Sequence, residues 1–115
     1  MRVRRRFCFE SAHRLPNHPG QCRELHGHSY ELWVTVDRPV ETSSGMALDF
    51  SDLKRIVQEA VVTRLDHRYV NDLLENPTAE RMAEWTWRAL ESQLEGLVEI
   101  ELQETRDCAV IYRGV

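Results

Sequence analysis

The chain has 115 residues, of which 42% are hydrophobic and 30% charged, as expected for one globular domain spanning residues 1–115. Its net charge of −4 argues against a general nucleic-acid binder. No apolar run reaches the length of a membrane span or resembles a signal peptide, so we expect a cytoplasmic protein that does not bind membranes. The 3 cysteines fit free thiols in a reducing compartment better than a disulfide framework.

Two stretches of alternating residues open the chain. Apolar and polar positions alternate over residues 2–9 and again over residues 30–37, and a period of two predicts strands. The second strand is expected to begin at or just after His28. A loop containing Pro16 and Gly20 joins the two strands.

Helical periodicity follows in the middle of the chain. Leu53, Val57 and Val61 recur at helical spacing, and the pair Pro77-Thr78 is typical of the start of a second helix. Residues 65–76 between them show no clear period, so we expect irregular structure there.

Two further strands complete the pattern. Residues 98–103 alternate, and residues 108–112 follow after a link short enough for a hairpin. The order ββααββ predicts an α+β fold, a four-stranded antiparallel sheet with both helices on one face. Such a sheet has open edges, which natural proteins pair or cover, so we expect edge-to-edge assembly into a ring.

Histidines are concentrated around the start of the second strand. Residues two apart in a strand point to the same face, so His26 and His28 can reach one ion, and His13 is available as a third ligand. Three histidine ligands with an open fourth position are typical of a catalytic zinc site. His18 competes for a ligand role, but it lies in a proline-flanked loop where an exposed ring is the better expectation.

Four other side chains can carry chemistry. Cys22 is an effective base or nucleophile as a thiolate, or it closes the zinc site as a fourth ligand. Asp66 beside His67 can fix the tautomer of the ring, although neighbours in sequence often point apart. Glu104 can accept two parallel hydrogen bonds from an amino-imino edge, or it is an ordinary surface carboxylate.

A series of motifs resembles one known family. In chain order the motifs are Ser11-Ala12-His13-Arg14-Leu15-Pro16, Cys22-x-x-x-His26-Gly27-His28, Gly45-Met46-x-x-Asp49-Phe50-x-Asp52-Leu53-Lys54, Leu65-Asp66-His67, Asn76-Pro77-Thr78-x-Glu80 and Glu104-Thr105. The series resembles the 6-pyruvoyl-tetrahydropterin synthase family over nearly the whole chain. The spacing from cysteine to histidine is similar to its 6-carboxytetrahydropterin synthase branch, which serves queuosine and other 7-deazapurine pathways.

The resemblance implies the tunnelling fold (T-fold), in which trimers stack into a homohexamer with active sites between subunits. It implies three zinc ligands, which are His13, His26 and His28. Cys22 would be the catalytic thiol, with Asp66 and His67 completing the catalytic set from a neighbouring subunit, and Glu104 would anchor the pterin ring. The implied reaction converts 7,8-dihydroneopterin triphosphate to 6-carboxytetrahydropterin, acetaldehyde and triphosphate.

Three alternatives remain open from the sequence. A 6-pyruvoyl-tetrahydropterin synthase would use the same residues but eliminate triphosphate without cleaving the carbon chain. A non-catalytic zinc-binding assembly protein would use Cys22 to close the site. A metal-dependent hydrolase would use zinc-bound water, but it leaves Glu104 unexplained.

Overall fold

The computed structural model describes residues 1–115, which form one sheet and two helical stretches. The strands are β1 Arg2–His13, β2 His26–Asp37, β3 Arg68–Tyr69, β4 Leu97–Thr105 and β5 Cys108–Tyr112. The helical segments are α1 Phe50–Val57, a π-helical turn Gln58–Val62, α2 Thr63–Leu65 and α3 Ala79–Leu90, with short 3-10 turns at Gln21–Arg23 and Val70–Asp72. None of the helices combines the length and the apolar composition that crossing a membrane requires.

The sheet has five strands in the order β3-β1-β2-β4-β5. The pairs β1–β2, β2–β4 and β4–β5 are antiparallel, as the sequence predicts. The additional strand β3 pairs with β1 in parallel, opposite Ser11 and Ala12, so the sheet is mixed. The prediction of a four-stranded, purely antiparallel sheet is therefore wrong. Residues 65–76 are turns and irregular structure in part, as expected, but they also contain β3 and a 3-10 turn. A strand of two residues is too short to show any periodicity.

Both helical stretches begin at a side-chain cap. The Asp49 carboxylate accepts the Ser51 N–H at 2.7 Å before α1, and the Thr78 hydroxyl accepts the Arg81 N–H at 3.2 Å before α3. The first stretch runs on from α1 through the π-helical turn into α2 and ends at Leu65. This helical stretch is therefore longer than the run of residues whose apolar spacing predicts a helix. The spacing does not continue to Leu65, because the wider π-helical turn changes the phase of the apolar residues.

One face of the sheet packs against both helical stretches. The buried core residues from the strands and helices include Phe7, Phe9, Tyr30, Leu32, Val34, Val36, Leu53, Val57, Val61, Met82, Leu90, Ile100 and Leu102. On β1 the same alternation continues beyond Phe9 to Ser11 and His13, which are also buried. The core face therefore ends in polar and titratable side chains where β1 ends and β2 begins.

Candidate active site

Three histidine rings meet at this end of the sheet. β2 begins at His26, earlier than the alternation predicted, because His26 pairs with His13 across the antiparallel ladder. Alternation along β2 then places His28 on the same face as His26. One ring nitrogen from each of the three residues lies within 4.8 Å of the others, so the cluster could hold a metal ion. The structure thus brings together the three residues that the sequence predicts as ligands.

Hydrogen bonds of two of the rings leave nitrogen lone pairs facing each other. The Nδ1 atom of His13 lies 2.8 Å from the Pro77 carbonyl oxygen, and Nδ1 of His26 lies 2.8 Å from the Glu24 carbonyl oxygen. A carbonyl only accepts, so each Nδ1 carries the proton and each Nε2 of a neutral ring is a lone pair. These Nε2 atoms are 2.9 Å apart and repel each other. Burial lowers the pKa of His13, so relief of this repulsion by protonation is disfavoured.

His28 completes the set of nitrogen donors. Its Nε2 atom is buried and has no hydrogen-bond partner. The Glu104 carboxylate lies 3.7 Å away, beyond hydrogen-bonding distance. Burial lowers the pKa of His28, and the negative charge of Glu104 opposes this effect only in part. A buried, unpartnered and neutral nitrogen beside two others fits the three-nitrogen zinc site that the sequence predicts.

Glu104 reaches the site from the core face of β4. Ile100 and Leu102 are buried on that face, and alternation places Glu104, two residues beyond Leu102, on the same side. Its side chain is 24% exposed and lines a cleft of about 340 Å³ together with Leu15 and Ala79. Glu104 is therefore a cleft residue next to the histidines and not an ordinary surface carboxylate.

Three further groups at the site were missed in the sequence. Two are the carbonyls of Glu24 and Pro77, whose positions depend on loop conformations that no residue pattern encodes. The third is Tyr30, a buried residue whose ring lies edge-on to His13 and His28 with centroid distances of 6.2 Å and 5.6 Å. The period of two that places His26 and His28 on one face of β2 also places Tyr30 on that face. This pattern could have identified Tyr30 as a residue of the site.

Cys22 lies in the loop between β1 and β2, next to the histidine cluster but outside it. The loop is closed by a 2.8 Å hydrogen bond from the Leu15 N–H to the Cys22 carbonyl. The thiol is partly exposed and shares a cleft of about 480 Å³ with Glu24 and His26. This placement suits a reactive group beside a metal better than a fourth ligand of a closed structural site.

Asp66 and His67 form a pair where the first helical stretch ends. The Oδ1 atom of Asp66 lies 3.0 Å from Nδ1 of His67 and accepts the Glu10 N–H at 2.9 Å. The hydrogen bond from Glu10 is the main reason that the pKa of Asp66 is lowered. The His67 side chain is 79% exposed and lines a cleft of about 510 Å³ with Glu10, Ser29 and Arg68. Although the two residues are neighbours in sequence, their side chains do meet.

One chain alone does not bring all the candidate catalytic residues together. Cys22 opens onto the cleft beside His26, whereas His67 lines a different cleft beside Glu10. Glu104 lines a third cleft, and His28 of the histidine cluster lines the cleft of His67. Within a single chain the histidine cluster therefore adjoins both clefts, through His26 that of Cys22 and through His28 that of His67, while Cys22 and His67 line different clefts.

The fold and the site together define an α+β protein with a candidate three-histidine metal centre. The family model described as 6-pyruvoyl tetrahydropterin synthase matches residues 2–115, so the chain belongs to that family. The resemblance seen in its motifs is thereby confirmed, and the chain is a pterin-metabolising lyase of this family.

Relatives of this chain carry more than one activity. The 6-carboxy-5,6,7,8-tetrahydropterin synthase of Synechocystis sp. is 44% identical over 117 residues, covering 96% of this chain and 91% of the relative. The dihydroneopterin monophosphate aldolase of Pyrococcus furiosus is 36% identical over 100 residues, covering 87% and 83%. The structure of Caenorhabditis elegans 6-pyruvoyl tetrahydropterin synthase matches with a TM-score of 0.91 at 24% identity, covering 100% of this chain and 96% of the other. This last similarity shows the fold.

Proposed function

We propose that the chain is a zinc-dependent 6-carboxy-5,6,7,8-tetrahydropterin synthase. It converts 7,8-dihydroneopterin triphosphate and one water molecule to 6-carboxytetrahydropterin, acetaldehyde and triphosphate, and serves queuosine or another 7-deazapurine pathway. The 44% identity with the synthase of Synechocystis sp. over 96% of this chain supports the proposal. The observation that carries it is the 3.7 Å approach of the Glu104 carboxylate to Nε2 of His28, because a pterin ring bound by this carboxylate would lie beside the candidate metal ligands.

The three histidines hold Zn²⁺ through one nitrogen each, and hydrogen bonds to backbone carbonyls fix two of the rings. His13 is oriented by the Pro77 carbonyl and His26 by the Glu24 carbonyl. When bound by these three histidines, zinc would supply a Lewis acid for the hydroxyl oxygens of the pterin side chain. Buried Tyr30 beside the rings limits the access of water from the core side.

Glu104 recognises the pterin ring. An ionised carboxylate accepts two parallel hydrogen bonds from the amino and imino groups of the ring, which fixes its plane and direction. Because Glu104 lies beside His28, a ring held there directs its side chain toward the histidine cluster. Anchoring the ring thus positions the reacting carbons for proton transfer.

Cys22 and His67 move the protons. Cys22 as a thiolate removes a proton from the side-chain carbon next to the ring, and His67 carries out the second transfer. Asp66 holds Nδ1 of His67 at 3.0 Å and leaves Nε2 free for this chemistry. Because His67 and Cys22 line different clefts of one chain, the pair acts in the site of a neighbouring subunit of a homohexamer.

The sister activity, 6-pyruvoyl-tetrahydropterin synthesis, is the second candidate. The family model that matches the chain has that name, and the 6-pyruvoyl tetrahydrobiopterin synthase of Homo sapiens is 30% identical over 97% of this chain. The two reactions share their residues and differ in the product. A non-catalytic zinc protein is disfavoured because Cys22 lies outside the ligand cluster.

The test is to incubate the zinc-loaded protein with 7,8-dihydroneopterin triphosphate, followed by mass analysis of the pterin and an acetaldehyde assay. We expect 6-carboxytetrahydropterin and acetaldehyde in equal amounts. A pyruvoyl product without acetaldehyde would move the chain to the sister activity. A parallel incubation with 7,8-dihydroneopterin monophosphate tests the aldolase activity of the Pyrococcus furiosus relative.

A further inference from the structure

Two consecutive residues of β1 hold the turn that carries Asp66 and His67. The Ser11 hydroxyl donates a hydrogen bond to the Leu65 carbonyl. The Glu10 N–H donates to Asp66 Oδ1 at 2.9 Å, and the Glu10 carbonyl accepts the His67 N–H at 2.6 Å. The chain is therefore fixed against β1 at three successive residues where it leaves the helix.

Among these bonds, only that of Ser11 comes from a side chain of β1. Ser11 is 5% exposed, and the Leu65 carbonyl is at the C-terminal end of the helical stretch, where carbonyls lack a partner within the helix. A buried carbonyl without a partner is unfavourable. The Ser11 hydroxyl therefore satisfies this group and fixes the point at which the helix stops.

The backbone of His67 needs such support. Its φ angle is 57°, in the left-handed region that residues other than glycine rarely adopt. Conformations of this kind persist only where the surrounding structure holds them. Leu65 precedes His67 by two residues, so release of the Leu65 carbonyl would let the turn relax and move the His67 ring within its cleft.

We propose that Ser11 is a positioning residue for the Asp66–His67 pair. This rests on the proposed function, in which His67 transfers a proton. Ser11 acts through Leu65, because its hydroxyl is bound to the Leu65 carbonyl, while Ser11 and His67 line the same cleft. On the same strand, two residues further on, His13 enters the metal cluster, so the test must separate positioning of His67 from metal binding.

The experiment compares Ser11→Ala, Ser11→Thr and Thr86→Val in the zinc-loaded protein. Thr86 is a matched control, because its buried hydroxyl also donates to a helix carbonyl, that of Met82, at 2.8 Å, but on α3. The measurements are kcat and KM for 7,8-dihydroneopterin triphosphate, zinc per chain, and the exchange rate of the His67 amide by NMR.

We expect Ser11→Ala to lower kcat by about 10- to 100-fold, the effect of a misplaced catalytic group, with KM and zinc content unchanged. The His67 amide should exchange faster. Ser11→Thr, which retains the hydroxyl, should recover much of kcat and the slow exchange, and Thr86→Val should leave both at wild-type values.

Three outcomes would overturn the proposal. Wild-type kcat and amide exchange in Ser11→Ala would show that the hydroxyl does not position the pair. Loss of zinc in that variant would assign its effect to His13, and an equal loss of kcat in Thr86→Val would assign it to general destabilisation. Separately, wild-type turnover in His67→Asn would remove the proposed role of His67, and the role of Ser11 with it. The exchange rate of the His67 amide is measured without turnover. It therefore distinguishes failure of the Ser11 proposal from failure of the proposed function.

Discussion

The Nε2 atoms of His13 and His26 face each other at 2.9 Å, although neither can donate a hydrogen bond while both Nδ1 protons are bound to carbonyls. These two rings therefore direct two lone pairs at each other in repulsive contact. Burial lowers the pKa of His13, which makes relief by protonation unfavourable. The fold thus prepares this position for a cation, and removing one ring should have a large effect on metal binding.

His26→Ala should reduce zinc affinity by more than about 100-fold, because losing only an outer partner of a metal ligand already costs about 10- to 100-fold. Equilibrium dialysis with elemental analysis measures the zinc bound per chain. The control is His18→Ala, which removes an exposed ring whose Nδ1 accepts the Gly20 N–H. If His26→Ala binds zinc as tightly as the control, the cluster is not the metal site.

Cys22→Ala should keep zinc and fold but lose turnover. The thiol lies outside the ligand cluster, so the metal is retained, whereas loss of a general base lowers the rate by about 100-fold or more. The measurements are kcat, zinc per chain and Tm. Cys8→Ala, which removes an exposed thiol on β1, is the matched control and should keep full activity. Retained turnover in Cys22→Ala would refute the assignment.

Glu104→Gln should raise KM and lower kcat/KM by about 10- to 100-fold. Hydrogen bonds to a charged group contribute about 1.5–3 kcal/mol, and the amide nitrogen of glutamine presents a donor to a ring edge that itself donates. Steady-state kinetics with 7,8-dihydroneopterin triphosphate measure the effect. Glu101→Gln on the opposite face of β4 removes the same charge and should leave KM unchanged. Equal KM values in the two variants would argue against a pterin anchor at Glu104.

Much of the sheet was predictable because strands β1 and β2 alternate over many residues, and this pattern also placed His26 and His28 on one face. β3 could not be predicted, since Arg68 and Tyr69 are a strand only because they pair with β1. The left-handed backbone of His67 was equally hidden, because positive φ is uncommon for any residue other than glycine and depends here on the contacts with β1. In both cases the local structure depends on contacts between residues that are distant in sequence, and a local sequence pattern does not show such contacts.

The candidate site was likewise predictable from the sequence only in part. His13, His26 and His28 were recognisable as ligands from residue type and spacing. The carbonyls of Glu24 and Pro77 were not, because any residue supplies a carbonyl and only the loop conformation directs it at a ring. The separation of Cys22 from His67 within one chain likewise depends on tertiary packing.

The stability of the protein should depend on Asp66 in acid. Its pKa is lowered below the ordinary value of 3.8, mainly by the hydrogen bond from the Glu10 N–H. The folded state therefore binds this proton less readily than the unfolded state, so the stabilisation is complete above pH 3.8 and is lost as the pH falls through the folded pKa. Urea unfolding of wild type and Asp66→Asn at several pH values measures this. The difference in free energy of unfolding should shrink as the pH falls below the ordinary pKa; a difference that is unchanged down to low pH would contradict it.

Two inactive variants should restore activity when they are combined. Cys22 and His67 line different clefts of one chain, so a site built between subunits takes its thiol from one copy and its imidazole from another. Cys22→Ala and His67→Asn each disable every site of their own oligomer. Asparagine is chosen at residue 67 because it tolerates the left-handed backbone.

Co-expression of the two variants with different affinity tags, followed by purification through both tags, yields mixed oligomers. Random mixing in equal amounts leaves about a quarter of the sites with both wild-type residues, since each residue is intact with a probability of one half. We expect turnover per chain near that fraction of wild type, and none in either variant purified alone. If the mixed oligomers are as inactive as the separate variants, Cys22 and His67 act within one chain, and the chain must rearrange to bring their two clefts together.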